Sequence, residues 1–180
     1  MMGVLKMKIK NINFNIMFSA LIFFCGCEDK EVDSSEELNL GPISVTTGNV
    51  NVSDFYFDLT SGEETESSDL WSISVKTEGD YNMPSIFLNE DLDVAVYDDL
   101  LFGDVTELPS TFLDHLETDH SVFRYEGSYE ILSYNMEIHK VGVTHPDYVY
   151  VIRYADMNKI FKVQFIEYLS GVTVFQYEEI

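Results

Sequence analysis

Cysteine is nearly absent from this chain. Of 180 residues only two are Cys, Cys25 and Cys27, and none follows them. Everything downstream is therefore without a disulfide and without a thiol nucleophile, and its stability must come from packing. Bases are also scarce, 10 Lys and Arg against 32 Asp and Glu, for a formal charge of −22. Such a surface repels nucleic acid, which needs a basic footprint, and excludes it as a partner. Catalytic signatures are missing too: no Gly-rich phosphate loop, no His-Glu-x-x-His, no Gly-x-Ser-x-Gly. The acids Glu90, Asp91, Asp93, Asp98 and Asp99 do not have EF-hand spacing, and His115 and His120 are five apart, which is wrong for one helical face. The expectation is a protein that is not an enzyme and holds no metal ion of its own through carboxylates or thiolates.

What is present begins with an address. Lys6, Lys8 and Lys10 precede a largely apolar run from Ile12 to Phe24, with no acid before Glu28. A basic segment followed by a short apolar one is the pattern of a secretory signal, and this run is too short and too interrupted to make a good membrane-spanning helix. It ends Leu21-Ile22-Phe23-Phe24-Cys25-Gly26-Cys27, which resembles the lipobox of bacterial lipoproteins. The resemblance implies cleavage after Gly26, diacylation of Cys27 and attachment to a membrane by that lipid anchor, since two acyl chains are what firm anchoring requires. The acidic Glu28-Asp29-Lys30-Glu31 that follows resembles export signals of Bacteroidetes-type surface lipoproteins and equally the retention signals of enterobacterial ones. Residues 1–26 are thus read as a signal peptide and 27–42 as a flexible acidic tether, rich in Ser and Glu.

From 43 to 180 the chain reads as a single antiparallel β domain, mostly β and sandwich-like, with many short strands and one short helix. The end is the clearest part. Tyr148–Tyr154, Ile160–Leu169 and Val172–Tyr177 are three runs of β-branched and aromatic residues. Asp156-Met157-Asn158-Lys159 and Ser170-Gly171 separate them as turns, so a meander is expected. Alternation puts Phe161, Val163, Phe165 and Glu167 on one face and Lys162, Gln164, Ile166 and Tyr168 on the other. Upstream, Phe55, Phe57 and Leu59 share a face. Trp71, Ile73 and Val75 share another, with Ser72 and Ser74 opposite. Further strands are expected at Ile43–Val52, Ser85–Asn89, Val94–Tyr97, Val122–Tyr125, Tyr129–Tyr134 and Ile138–Val143. Phe112, Leu113 and Leu116 recur at helical spacing, which predicts the helix over 111–117.

Ser133-Tyr134-Asn135, His139, Tyr148–Arg153, Ala155-Asp156, Lys159, Lys162–Phe165 and Tyr168 together resemble the HmuY family of haem-binding lipoproteins. Phe57-Asp58-Leu59 and Asp69-Leu70-Trp71 are similar to that family's first strands. The likeness is good over 134–180 and looser over 50–180. It implies an all-β fold on the outer membrane or cell surface, binding haem through His or Met side chains for iron acquisition. Its partners would be a haem donor protein or an outer-membrane receptor. Haem iron takes imidazole or thioether ligands. The axial candidates are His139 and His120, with Met136 and Met83. His145, before Pro146, suits a turn, and His115 an exposed helix face. A lone His on a strand also serves as a structural hydrogen-bonder. Arg124, Lys140 and Arg153 are the candidates for the propionates. The competing expectation is a surface interaction or adhesion module that uses exposed aromatics and acidity without a cofactor.

Overall fold

The computed structural model describes residues 41–113, 123 and 129–180. Among these residues, within the compact unit Asn39–Ile180, eleven strands form three antiparallel sheets. In chain order they are β1 (Ile43–Thr46), β2 (Phe55–Asp58), β3 (Glu63–Glu64), β4 (Ile73–Glu78), β5 (Met83–Leu88) and β6 (Asp93–Tyr97). They continue as β7 (Leu132–Asn135), β8 (Lys140–Val143), β9 (Val149–Tyr154), β10 (Lys159–Leu169) and β11 (Val172–Glu179). The mostly-β, antiparallel expectation holds. The first sheet runs β1-β11-β10-β9-β6, the second β3-β2-β4-β5, and β7 and β8 form a separate hairpin.

The terminal meander is built as its turn residues require. Asn158 closes the β9–β10 turn at φ +52°, and Ser170 and Gly171 close the next at +50° and +98°. Asn and Gly tolerate this left-handed region. Phe161, Val163 and Phe165 face the core, as alternation predicts. Past Phe165 the register slips by one residue, so that Glu167 faces Val174 and Tyr168 faces Thr173. This bulge inserts Ile166, which is exposed, and turns Tyr168 rather than Glu167 toward the core. A bulge reverses the alternation beyond it.

The two larger sheets pack face to face. Phe57 meets Phe175 at 5.5 Å and Tyr177 at 5.6 Å between ring centroids, both edge-on. Ile73, Val75, Ile86 and Leu88 from one sheet and Ile152, Val163 and Phe165 from the other complete this core. The β7–β8 hairpin contributes Leu132, Val141 and Val143 to it, contacting β10 on one side and β5 on the other. β9 is buried on both faces. Tyr150, Ile152 and Tyr154 point into the sandwich, while Val149 and Val151 point outward beneath Phe102 and Val105. The covering segment after β6 carries a single 3₁₀ turn, Phe102–Asp104. Lys162 fixes it. Its ammonium, on a residue only 4% exposed, donates to the Val105 carbonyl at 3.1 Å, pairs with Glu178 at 3.1 Å and lies over the Phe102 ring.

Several expectations are corrected. β4 begins at Ile73, so Trp71 lies outside the strand, and its ring packs on Tyr56 instead of joining Ile73 and Val75 in the core. Ser72 and Ser74 are fully buried rather than facing water. The strand expected from Ile138 begins at Lys140, and the one expected from Tyr129 begins at Leu132. Thr111–Leu113, the start of the expected helix, is not helical: the Leu113 N–H donates to Val94 O at 2.8 Å, along the free edge of β6. The remainder of that helix, most of the Val122–Tyr125 strand, the signal peptide, Cys27 and nearly all of the tether lie outside the described residues.

Candidate functional site

The axial-ligand candidates within the described residues converge, in part, on one turn. Residues 136–139 join β7 to β8. Asn135 organises it: its Oδ1 accepts the N–H of Glu137 at 2.9 Å and of Ile138 at 3.2 Å. An Asn side chain bonding the backbone two residues on is a standard way to start a turn. His139 ends it with φ +52°, so it is a turn residue and not the strand residue that alternation suggests. The phenol of Tyr134 and Nδ1 of His139 are hydrogen-bonded at 2.9 Å, across the mouth of the hairpin. Met136 is 73% exposed and Ile138 62%. Lys140 follows at once, exposed, as the first residue of β8.

The other candidates are elsewhere. Met83 opens β5 opposite Glu78, half-buried in the second sheet. Arg153 sits on the outer face of β9. It donates through Nε to Asp93 Oδ2 at 3.0 Å and stacks on Phe112, with its guanidinium carbon 3.9 Å from the ring centroid. It is thus paired and stacked at the β6 edge. His145 stacks flat on Tyr148 at 4.2 Å, in keeping with a turn role. His115, His120 and Arg124 lie outside the described residues.

Two further features bear on chemistry. A cavity of about 230 Å³ lies between β6 and Pro109–Leu113, with Tyr129 also in its lining. It is smaller than the roughly 300–1,000 Å³ of ordinary ligand pockets, and its described lining carries neither His nor Met. The second feature is a buried polar cluster that sequence patterning missed. Ser72 Oγ is hydrogen-bonded to the Tyr154 phenol and accepts from the Leu59 N–H at 2.8 Å. Asp58 lies beside both, accepting from the N–H and hydroxyl of Thr60. Burial pushes the Asp58 carboxyl up, but the hydrogen bonds from Thr60 and Ser61 outweigh it and hold it below its ordinary value. Burial pushes the Tyr154 phenol well above its ordinary value. Ser72 has no exposed surface, and this set ties one sheet to the other. The signal that could have revealed it is Asp58-Leu59-Thr60-Ser61, an acid followed by donors at the end of a strand.

No family model, no curated protein and no solved structure matches this chain. Among the described residues no three His, Cys, Asp or Glu side chains gather to hold a metal ion, and no helix is long and apolar enough to cross a membrane. An imidazole held by a hydrogen bond at one ring nitrogen is how ligating histidines are oriented, because the second nitrogen is then aimed. Within four positions of His139 the turn also carries an exposed thioether, an exposed Ile and an exposed Lys, so it gathers one nitrogen donor, apolar surface and a cation.

Proposed function

We propose that this chain is a lipid-anchored extracytoplasmic haem-binding protein serving haem acquisition or sequestration, with the β7–β8 turn as its binding element. Cys27 carries the lipid, and the acidic tether holds the β domain off the outer membrane or cell surface. A haem donor protein or an outer-membrane receptor is its partner, and the protein is not an enzyme. The observation that carries the reading is the Tyr134–His139 hydrogen bond at the tip of an exposed hairpin. Bound haem would supply the iron that takes the imidazole nitrogen. His139 binds, Tyr134 orients its ring, Met136 and Ile138 offer apolar contact, and Lys140 offers charge to a propionate.

The test is a haem titration of the full chain in detergent, followed at the Soret and visible bands in both redox states. A saturable one-to-one shift is expected, with affinity reduced at least tenfold in His139→Ala and several-fold in Tyr134→Phe. A spectrum unchanged from that of a control protein sinks the reading. A shift that survives His139→Ala moves the ligand to another residue, with His120 the next to replace. The exposure of Met136 and Ile138 also favours the second reading, a surface interaction module without a cofactor. That reading stands if haem does not bind and Met136→Ser with Ile138→Ser abolishes adhesion of cells that display the protein.

A further inference from the structure

The outer face of the second sheet carries a cluster to which the haem reading gives no role. Phe55 and Phe57 face the core, so Tyr56 between them faces outward. Across the register Tyr56 and Phe87 flank Ser74 from either side. Trp71 leans edge-on against Tyr56, with ring centroids 5.7 Å apart. Lys76 lies in the middle. Its ammonium is 4.9 Å from the Tyr56 ring centre, 5.3 Å from Trp71 and 5.2 Å from Phe87. Beneath it, Ser74 is completely buried, and its hydroxyl has no hydrogen-bond partner among the described residues.

These observations conflict with a merely structural role for the whole cluster. Three rings around one ammonium stabilise it through their negative faces. A buried hydroxyl without a partner costs free energy, and Ala or Val would serve better at the floor of a sealed aromatic patch. The conflict resolves if the Lys76 side chain moves. Long and unbranched, it can swing out to water with its charge intact. The slot it leaves has three aromatic walls and a polar floor.

We propose that this slot binds a neutral hexopyranose unit of a glycan, with Lys76 as its movable cover. The C–H groups of a pyranose face carry partial positive charge and pack on the negative faces of aromatic rings, as the ammonium does. The sugar's hydroxyls satisfy the Ser74 oxygen below and accept from the displaced Lys76 ammonium at the rim. The chain's charge of −22 selects a neutral saccharide over an acidic one, because a single Lys does not offset the surrounding carboxylates. A free cation is disfavoured by Lys76 itself, which competes for the same position intramolecularly.

Trp71 is the chain's single tryptophan, so its emission reports on this slot alone. The full chain, in a non-glycosidic detergent, is titrated with cellotetraose, maltotetraose and mannotetraose, followed by Trp71 fluorescence and by calorimetry. At least one of the three is expected to give a saturable change. Its affinity should fall tenfold or more in Tyr56→Leu and Phe87→Leu and several-fold in Ser74→Ala, with far-ultraviolet circular dichroism unchanged. Ser74→Ala is the sharper variant, since a purely structural hydroxyl without a partner predicts unchanged binding and equal or greater stability. No saturable signal with any of the three sugars overturns the proposal. So does binding that survives Tyr56→Leu and Phe87→Leu together, or binding of tetragalacturonate alone, which would make Lys76 an anion site. None of these outcomes depends on whether haem binds at His139.

Discussion

Asp58 shows how much one side chain can organise. It is the last residue of β2 and only 7% exposed, yet it is stabilised as a carboxylate by the N–H and hydroxyl of Thr60 and the N–H of Ser61. On its inner side are Ser72 Oγ at 3.5 Å and the Tyr154 phenol at 3.4 Å. A charged acceptor shared by several donors is worth more than a neutral one, so Asp58→Asn should cost about 2–3 kcal/mol at neutral pH. Its pH dependence has a definite sign. The folded carboxyl is held below its ordinary value, so the stabilisation is fully present above that value and is lost as pH falls through the folded one. Urea unfolding at pH 7 and at pH 3 checks this: the gap between native and Asp58→Asn should narrow in acid, and a gap that stays constant would remove the charge from the account. Tyr154 obeys the same logic from the other side of the core. Its phenol stays neutral because burial opposes ionisation, which keeps its proton available to the cluster.

At the scale of elements, the β10–β11 turn has little freedom. Gly171 sits at φ +98°, and a Cβ there would overlap Asn49 Oδ1 and Asn51 Nδ2. Those side chains belong to a loop that the turn itself holds, through Val50 N–H to Gly171 O at 2.8 Å and Asn51 Nδ2 to Ser170 O at 3.3 Å. Gly171→Ala should therefore cost about 2 kcal/mol or more, from backbone strain and from the displaced loop, whereas Gly48→Ala, with open space around it, should cost far less. Thermal melts of the two variants decide the comparison, and equal losses would contradict it. The turn itself was legible in the sequence, because Ser-Gly between two aromatic runs has few other uses. So were the strands of the meander and the inward set Phe161, Val163 and Phe165. What local pattern does not carry is any effect of a partner strand. The bulge at Ile166 is visible only against β11, Ser72 is buried only because Tyr154 crosses from the other sheet, and Trp71 leaves the core only because Tyr56 offers it a face. The hairpin turn was half legible. Asn135 announces it, but alternation through Ile138 to Val143 placed His139 on a strand, and its contact with Tyr134 depends on a left-handed residue that strand patterning does not foresee.

For the whole molecule the dominant fact is charge. With 32 acids and 10 bases, most carboxylates have no cation to meet. Among the described residues Arg153, Lys159 and Lys162 already have carboxylate partners in Asp93, Glu179 and Glu178. Compacting such a chain concentrates like charge, and the repulsion works against the folded state. Salt shortens its reach, since the screening length is about 10 Å at 0.1 M. Salt also weakens the exposed Lys159–Glu179 pair, but a pair of that kind contributes at most about 1 kcal/mol. The Lys162–Glu178 pair is shielded from it, since the Lys162 side chain is only 5% exposed. The balance favours stabilisation. Raising NaCl from about 20 to 300 mM at pH 7 should increase the melting temperature by roughly 3–6 °C, which corresponds to a relief on the order of 1 kcal/mol for a domain of this size. Lowering the pH toward 5 at low salt should act in the same direction by neutralising part of the surface, until the loss of the Asp58 carboxylate, which comes only below the ordinary carboxyl range, reverses the trend. A melting temperature that falls with salt would mean that the few ion pairs outweigh the repulsion. One that does not move would mean that the carboxylates lie too far apart to interact, and that the acidity serves solubility alone.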